Sequence, residues 1–237
     1  MKRQPLSSCL RDHLDEGHKK KGPGPYLSIS GQYGCDDYEV GLILAEKLNE
    51  RDEQRPWKVH YKELYKQLAE DMGLTEEVLE RERFAKPSFI SNFLQGLKKD
   101  GAPDRLEINN NIALMVRTIA FDGYGIVIEQ GDTSATVGID NGLSIRVEAP
   151  KDWRIARICH KESLDCQTAT AKIEQVEGDL ANTHAACEQR CQREPAFNLV
   201  FDNSLFSKEI IAELVIKAME EKNIIEKPTI KLKKITE

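Results

Sequence analysis

The sequence predicts one α/β domain: a doubly wound parallel β-sheet with a helical insertion and a helical lid. Three observations support this prediction. A short apolar segment leads through a glycine-containing turn into an apolar helix, which is the opening unit of a parallel sheet. Further apolar segments of strand length alternate with helical patterns. A long polar stretch of helical character precedes the last strand, as expected of a mobile lid.

The first unit consists of a strand, a turn and a helix. Residues 26–30 have the composition of a short strand, and residues 31–37 form a turn that contains two glycines. Apolar residues then recur at helical spacing and predict a helix buried over most of its surface. These residues are Val40, Leu42, Ile43, Leu44, Ala45 and Leu48.

The middle of the chain predicts an edge strand, a helical insertion and two buried strands. Residues 57–60 form the short strand, and residues 61–121 are expected to be helical. The apolar markers of these helices are Leu64, Leu68, Met72, Phe89, Phe93, Leu94, Leu97, Ile112, Leu114, Met115, Val116 and Ile119. Residues 125–129 and 143–148 are apolar runs of strand length.

The last third predicts a polar helical run, a strand and a closing helix. Residues 153–192 are long, polar and helical, and residues 199–202 form the last strand. The amphipathic helix that closes the fold is marked by Ile210, Ile211, Leu214, Val215 and Ala218.

The expected boundaries place a domain at residues 26–222, with the lid at about residues 152–194. Residues 1–25 carry a basic run and a Gly-Pro repeat, so we expect a disordered tail, with a basic docking arm as the alternative. Residues 223–237 form a second, charged tail.

Composition excludes several classes of protein. The 237 residues are 40% hydrophobic and 31% charged, with a net charge of −6, so a basic nucleic-acid-binding surface is not expected. No apolar run approaches the roughly 18 residues that span a membrane, and the N-terminus lacks the apolar core of a secretory signal. We therefore expect a cytoplasmic protein whose six cysteines are free thiols.

Four segments in order resemble the cytidylate kinase-like family. Residues 29–41 read I-S-G-Q-Y-G-C-D-D-Y-E-V-G before an L-A-E-K-L helix, where the family typically reads I-S-R-x-Y-G-S-G-G-x-E-I before L-A-x-x-L. Residues 127–131 are similar to its strand ending in G-R-G. Residues 147–158 are similar to its strand, Ala-Pro turn and lid helix, with R-x-x-R-I kept. Residues 197–204 are similar to its final Y-D-L-V-I-N-T-S strand.

The resemblance spans about residues 26–222 and implies a P-loop NTPase-type fold with a helical insertion for a nucleoside monophosphate (NMP). It implies ATP and Mg²⁺ as cofactors and an acceptor nucleotide such as CMP. Arg154 and Arg157 match the lid arginines, and Gln130 falls at the position of a substrate-binding arginine. The residues of the phosphate loop are Gly31, Gln32, Tyr33, Gly34, Cys35, Asp36, Asp37, Tyr38 and Glu39.

The phosphate loop departs from the family pattern. Glycines in such a loop let backbone N–H groups turn toward the phosphates at a helix N-terminus. Asp36 and Asp37 occupy the positions of the family's glycine pair. Glu129, before Gln130, occupies the position of a family glycine, and Leu180 occupies the position of a lid arginine. Each change removes a phosphate ligand or adds negative charge.

The acidic residues have two interpretations each. Asp36 and Asp37 are suited to holding Mg²⁺, whose preferred ligands are oxygens, but an aspartate before a helix is also a good N-cap. Glu129 ends an apolar strand where a metal-binding acid would lie, and it is equally typical of a carboxylate at the rim of a sheet.

The lid offers arginines and cysteines. Arg154 and Arg157 lie three residues apart on one helix face, where they could clamp phosphoryl oxygens or form surface ion pairs. Four cysteines and two histidines of the lid suggest a zinc site, but paired C-x-x-C motifs are missing, so we expect ordinary packing and no zinc. They are Cys159, Cys166, Cys187, Cys191, His160 and His184. Packing is also expected of Tyr33, Trp57 and Trp153.

Two functions remain open from the sequence. The first is ATP-dependent phosphoryl transfer to a nucleoside monophosphate such as CMP, favoured by the two lid arginines. The second is a catalytically inactive regulatory or binding protein that keeps the fold, favoured by the two loop aspartates. The sequence does not identify a protein partner.

Overall fold

A computed structural model describes residues 22–53, 55–61, 66, 68–70, 75, 105–129, 133–136, 138–191 and 197–227. Statements about the fold refer to these residues. None of the helices in these ranges is both long and apolar enough to cross a membrane.

Five strands in the described part of the chain form one parallel sheet in the order β2-β3-β1-β4-β5. They are β1 (Tyr26–Gly31), β2 (Lys58–His60), β3 (Gly125–Glu129), β4 (Gly142–Glu148) and β5 (Leu199–Asp202). Strands β2 and β3 lie on one side of β1, and strands β4 and β5 lie on the other side. In open parallel sheets, ligands bind at the carboxyl ends of the strands where the order reverses, which here is beside β1.

Helices cover both faces of the sheet. The described helices are α1 (Asp37–Asn49), α2 (Arg105–Asp122), α3 (Lys151–Glu162), α4 (Cys166–Cys191) and α5 (Lys208–Glu221), and a 3-10 turn spans Thr133–Thr136. Helix α1 packs against Ile126 and Ile128 on one face, and α5 packs against α1. Helix α2 packs against Val127 on the other face. The predicted doubly wound α/β fold is confirmed.

The predicted strands agree with the observed ones to within one residue at each end. Of the helices expected in residues 61–121, α2 is described, and residue 66 and residues 68–70 are helical; most of the remaining insertion lies outside the described residues. The expected helical run of residues 153–192 is interrupted. Ser163 ends α3 in a left-handed conformation, with φ 54°, and Leu164 N–H donates to the carbonyl of Cys159 at 3.2 Å.

Packed structure extends slightly beyond both predicted tail boundaries. Gly24 N–H donates to the carbonyl of Phe121 at 2.9 Å, and a Cβ on Gly24 would lie only 2.8 Å from the Cα of Gly123. At the other end, Ile224 is buried against the core formed by α1 and α5. Residues 1–21 and 228–237, which form most of the expected tails, lie outside the described residues.

Gly142 provides a test of the packing at the start of the sheet. It lies opposite Tyr26 on the neighbouring strand, and a Cβ at this position would lie 2.1 Å from two atoms of the buried Tyr26 ring. We expect Gly142→Ala to lower the free energy of unfolding by roughly 1–3 kcal/mol, because neither side chain can move without strain. Chemical denaturation measures this difference. The control Gly178→Ala, in open space within α4, should raise the free energy of unfolding by about 0.5–1 kcal/mol. Equal stability of the two variants would contradict this packing.

Candidate functional site

The loop between β1 and α1 lies at the carboxyl edge of the sheet and is held by its neighbours. Gln32 N–H donates to the carbonyl of Val147 at 2.9 Å, and the Gln32 side chain accepts from Ala149 N–H at 3.1 Å. Gly34 has a φ of 98°, and a Cβ there would lie 3.1 Å from the Cβ of Arg154. The loop therefore needs glycine at position 34 both for its backbone conformation and for the close approach of α3.

The Asp37 side chain folds back over Gly31, inside the loop. A Cβ built on Gly31 would lie 2.5 Å from Oδ2 of Asp37. The backbone N–H groups of Tyr38 and of Asp37 itself donate to this carboxylate. Its carboxylate thus occupies the N-terminal end of α1, where backbone N–H groups and the helix dipole would otherwise favour a phosphate.

The environment of Asp37 disfavours its charge. Loss of hydration on burial is the main cause that raises the pKa of Asp37 to about 6. The nearby Glu39 and Asp36 carboxylates also raise this pKa, and the two backbone hydrogen bonds oppose the rise without cancelling it. At neutral pH the carboxylate is largely ionised, so it presents negative charge to any anion that enters the loop.

Asp36 stands at the N-cap position but does not cap the helix with its side chain. Its carboxylate instead forms an ion pair with Arg157 of α3, and its backbone N–H donates to the side-chain oxygen of Asn203 at 2.9 Å. The Asn203 amide donates to the carbonyl of Phe206 at 3.2 Å. Asp36 thereby connects the loop to the lid on one side and to the end of β5 on the other.

A cavity of about 640 Å³ opens beside the loop, between the loop, α3 and α4. Its polar lining is acidic overall, since five carboxylates face it together with three cationic side chains. The acids are Asp37, Glu39, Glu129, Glu162 and Asp179, and the cations are Arg157, Lys161 and Lys172. A polyphosphate would therefore meet more negative than positive groups.

The two lid arginines have different environments. Arg157 lines the cavity; its Nε donates to the carbonyl of Gly34 at 3.2 Å, and its guanidinium lies 4.8 Å from the centre of the Trp153 ring. Arg154 is only 3% exposed and does not line the cavity. Its guanidinium donates to the carbonyls of Ala149 and Tyr33, at 3.0 and 3.1 Å, and pairs with Glu177 at 2.7 Å. In this conformation Arg154 holds α3 against the loop.

Two lysines of the cavity are absent from the residues predicted by sequence. Lys161 pairs with Glu39 at 2.8 Å, which connects α3 to the first turn of α1. Lys172 pairs with Glu162 and lies 5.5 Å from the centre of the Tyr33 ring. The spacing of residues 154, 157 and 161 is the signal that could have identified Lys161, because it places all three on one helix face.

Other predicted site residues fall at the edge of this cavity or outside the described residues. Glu129 is buried at the end of β3, beside Ser30 of β1, and faces the cavity. Leu180 contributes an apolar side chain to the wall. Gln130, the expected acceptor-binding residue, lies outside the described residues.

Two of the lid cysteines lie close together at the turn between α3 and α4. Cys159 and Cys166 have sulfur atoms 3.5 Å apart. The side chains of His184, Cys187 and Cys191 lie outside the part of the chain whose side chains are described. Among the described residues, no group of three or more histidine, cysteine or acidic side chains is arranged to hold a metal.

The comparisons with known proteins identify the family. A model of the cytidylate kinase-like family matches residues 26–205, so the chain belongs to this family. Membership of this family makes the chain a kinase-like, nucleotide-binding protein with a P-loop fold. No curated protein matches the sequence.

A solved structure with a TM-score above 0.5 supports the same fold, and two others fall below that value. An uncharacterized protein from Eubacterium ventriosum has 13% sequence identity and a TM-score of 0.56, over 83% of this chain and 98% of that one. A shikimate kinase from Bacteroides thetaiotaomicron has 11% identity and a TM-score of 0.44, over 85% and 99% of the two chains. A shikimate kinase from Acinetobacter baumannii, in complex with shikimate, has 10% sequence identity and a TM-score of 0.45, over 85% of this chain and 96% of that one. These two scores are too low to support a conclusion about substrate.

The raised pKa of Asp37 predicts how stability depends on pH. Because the folded-state pKa lies above the ordinary value near 3.9, ionisation of Asp37 destabilises the fold progressively as pH rises from about 4 through about 6. We expect Asp37→Asn to be more stable than the parent above pH 6, by on the order of 2 kcal/mol, and equally stable below pH 4. Urea denaturation at several pH values measures this difference. A constant difference in stability at all pH values would contradict the assignment.

The two lid arginines should differ in their contribution to stability. Arg154→Ala removes a buried guanidinium from two carbonyls, so we expect a loss of about 3 kcal/mol in the free energy of unfolding. Arg157→Ala removes a partly exposed ion pair, so we expect the free energy of unfolding to fall by only about 1 kcal/mol. Thermal or chemical denaturation distinguishes them, and a larger loss for Arg157→Ala would show that the lid is anchored differently.

Proposed function

We propose that this protein binds a nucleotide in the cavity beside the β1–α1 loop as a regulatory or binding protein, with little or no phosphoryl transfer. The observation that carries this proposal is the Asp37 carboxylate folded over Gly31, at the position where the family's loop would hold phosphate. The fold and the cavity supply a place for the ligand, while the loop opposes its most negatively charged part.

Electrostatics support weak phosphate binding. Two unit negative charges about 4 Å apart repel by roughly 4 kcal/mol at an effective dielectric constant near 20. Solvent and salt reduce this value, but even about 1.4 kcal/mol corresponds to a tenfold loss of affinity. Asp36 adds to the effect indirectly, because its ion pair engages the Arg157 side chain that faces the cavity.

The loop as it stands does not fit ATP in the manner of the family. The backbone N–H groups of residues 37 and 38 already donate to a carboxylate, and the space above Gly31 is filled by the Asp37 side chain. A nucleotide that uses this loop must therefore displace Asp37.

A second candidate function is ATP-dependent phosphoryl transfer to a nucleoside monophosphate such as CMP. The position of Arg157 in the cavity favours it, as does Glu129 at the end of β3 beside the loop. If Mg²⁺ binds, Glu129 and Asp37, which both line the cavity, would be its candidate ligands, and the ion would reverse their unfavourable charge. This candidate requires that Asp37 contribute to binding rather than oppose it.

Calorimetric titration with ATP, CMP and CTP, with and without Mg²⁺, distinguishes the two candidates. If Asp37 opposes phosphate, Asp37→Asn should bind ATP at least tenfold more tightly than the parent, because the isosteric amide removes the charge and keeps the shape. The control Glu213→Gln, which removes an exposed acid of α5 that pairs with Lys47 outside the cavity, should bind like the parent.

The opposite result has an equally clear meaning. If the parent binds ATP only with Mg²⁺ and Asp37→Asn loses this binding, Asp37 acts with the metal and the phosphotransferase candidate is favoured. A coupled assay for ADP formation with CMP should then detect turnover in the parent. If neither substitution nor Mg²⁺ changes binding, nucleotides do not use this loop and both candidates are wrong.

A further inference from the structure

Two cysteines lie close together at the turn between α3 and α4. The sulfur atoms of Cys159 and Cys166 are 3.5 Å apart, Cys159 is partly exposed and Cys166 is exposed. A disulfide bond is about 2.05 Å long, so bond formation requires the two sulfurs to approach by about 1.5 Å, a distance within reach of a side-chain rotation. Neither the family match nor the proposed function assigns a role to this pair.

The turn holds the two cysteines in place from both sides. Leu164 N–H caps the carbonyl of Cys159 at the end of α3, after the left-handed residue Ser163. At the start of α4, Asp165 accepts from both the N–H and the hydroxyl of Thr168, at 2.9 and 2.6 Å. These caps fix where each helix ends and begins.

Apolar packing beneath the turn fixes the angle between the helices. Ile158 of α3 packs with Ala169 and Ile173 of α4, and all three are buried. Leu164 and Cys159 pack against this cluster from the side of the turn. The proximity of the sulfurs therefore follows from the packing of the lid and does not depend on a flexible loop.

We infer that Cys159 and Cys166 form a reversible redox site, at which a low-molecular-weight disulfide such as oxidised glutathione converts the dithiol into an intrachain disulfide. The exposed Cys166 loses its proton and attacks one sulfur of the oxidant, which releases one thiolate and leaves a mixed disulfide. Deprotonated Cys159 then attacks the sulfur of Cys166 and releases the second thiol. Two electrons pass from the cysteine pair to the oxidant, which is reduced to two thiols.

The order of attack follows from the surroundings of the two sulfurs. Partial loss of hydration and the adjacent Cys166 sulfur raise the pKa of Cys159. Cys159 is therefore the slower nucleophile toward a solvent-borne oxidant, but the neighbouring mixed disulfide presents it with a target at close range.

The disulfide would connect two walls of the cavity. Helix α3 supplies Arg157 and Lys161 to it, and α4 supplies Lys172 and Asp179. A covalent link at the turn limits the change of angle between these helices. If the proposed nucleotide binding is correct, oxidation should therefore alter nucleotide affinity; this second effect rests on the proposed function, whereas the redox site itself does not.

The test uses the full chain with Cys9, Cys187 and Cys191 replaced by serine, which leaves the pair and the buried Cys35. The protein is equilibrated in glutathione buffers of graded reduced-to-oxidised ratio, trapped with an alkylating reagent and analysed by intact mass and peptide mapping. We expect a product that is two hydrogens lighter and links residues 159 and 166. Because the fold holds the sulfurs together, the native protein should form this disulfide at an equilibrium constant at least tenfold higher than the same chain in urea.

Control variants make the result specific. Cys166→Ser should give only a mixed disulfide between glutathione and Cys159, and Cys35→Ser should behave like the starting protein. Persistence of the dithiol, glutathione adducts alone, or an equal equilibrium constant in native and unfolded chains would overturn the redox site. If the disulfide forms and ATP affinity is the same in both redox states, the redox site stands and its coupling to the cavity is wrong.

Discussion

Competition for the N-terminal end of α1 determines what this site can do. Two backbone N–H groups there donate to the Asp37 carboxylate, and the strand–turn–helix unit that carries them is the part of the fold best suited to hold phosphate. A side chain of the loop itself has taken that position, at the expense of a carboxylate whose pKa is raised to about 6. The cavity beside the loop remains, so the fold keeps the space for a ligand while its usual anchor is blocked.

The lid is fastened to the same loop through its two arginines. Arg154 donates to the carbonyl of Tyr33, and Arg157 to the carbonyl of Gly34 and to the Asp36 carboxylate. In a kinase, guanidinium groups at such positions contribute to catalysis because they contact the transferred phosphoryl group. Here their donors are directed to the loop, and the contact of Arg157 with Asp36 depends on the aspartate that stands where the family has a glycine.

The sequence predicted the framework of the fold more fully than it predicted the site. Apolar runs located β1 and β3 because these two strands are buried on both faces and leave a strong pattern. Strands β2, β4 and β5 are less completely buried and were located from shorter or alternating patterns. The break at Ser163 escaped prediction because a left-handed cap on a polar residue leaves little trace in periodicity. Similarly, the pattern placed Arg154 and Arg157 on one helix face, but only tertiary packing determines that one is buried under the loop and the other faces the cavity.

The two aspartates were equivalent in sequence and are different in the structure, and this difference decides how a phosphate could enter. Asp36 is compensated by Arg157, so its charge is already neutralised within the lid contact. Asp37 is held by backbone N–H groups, which are the groups a phosphate would need. An entering phosphate would thus compete with Asp37 directly and with Asp36 only for a share of Arg157. Protonation of Asp37 below about pH 6 removes the charge that competes with the phosphate and leaves the Asp36–Arg157 ion pair unchanged. The loop therefore accepts an anion most readily in mildly acidic solution.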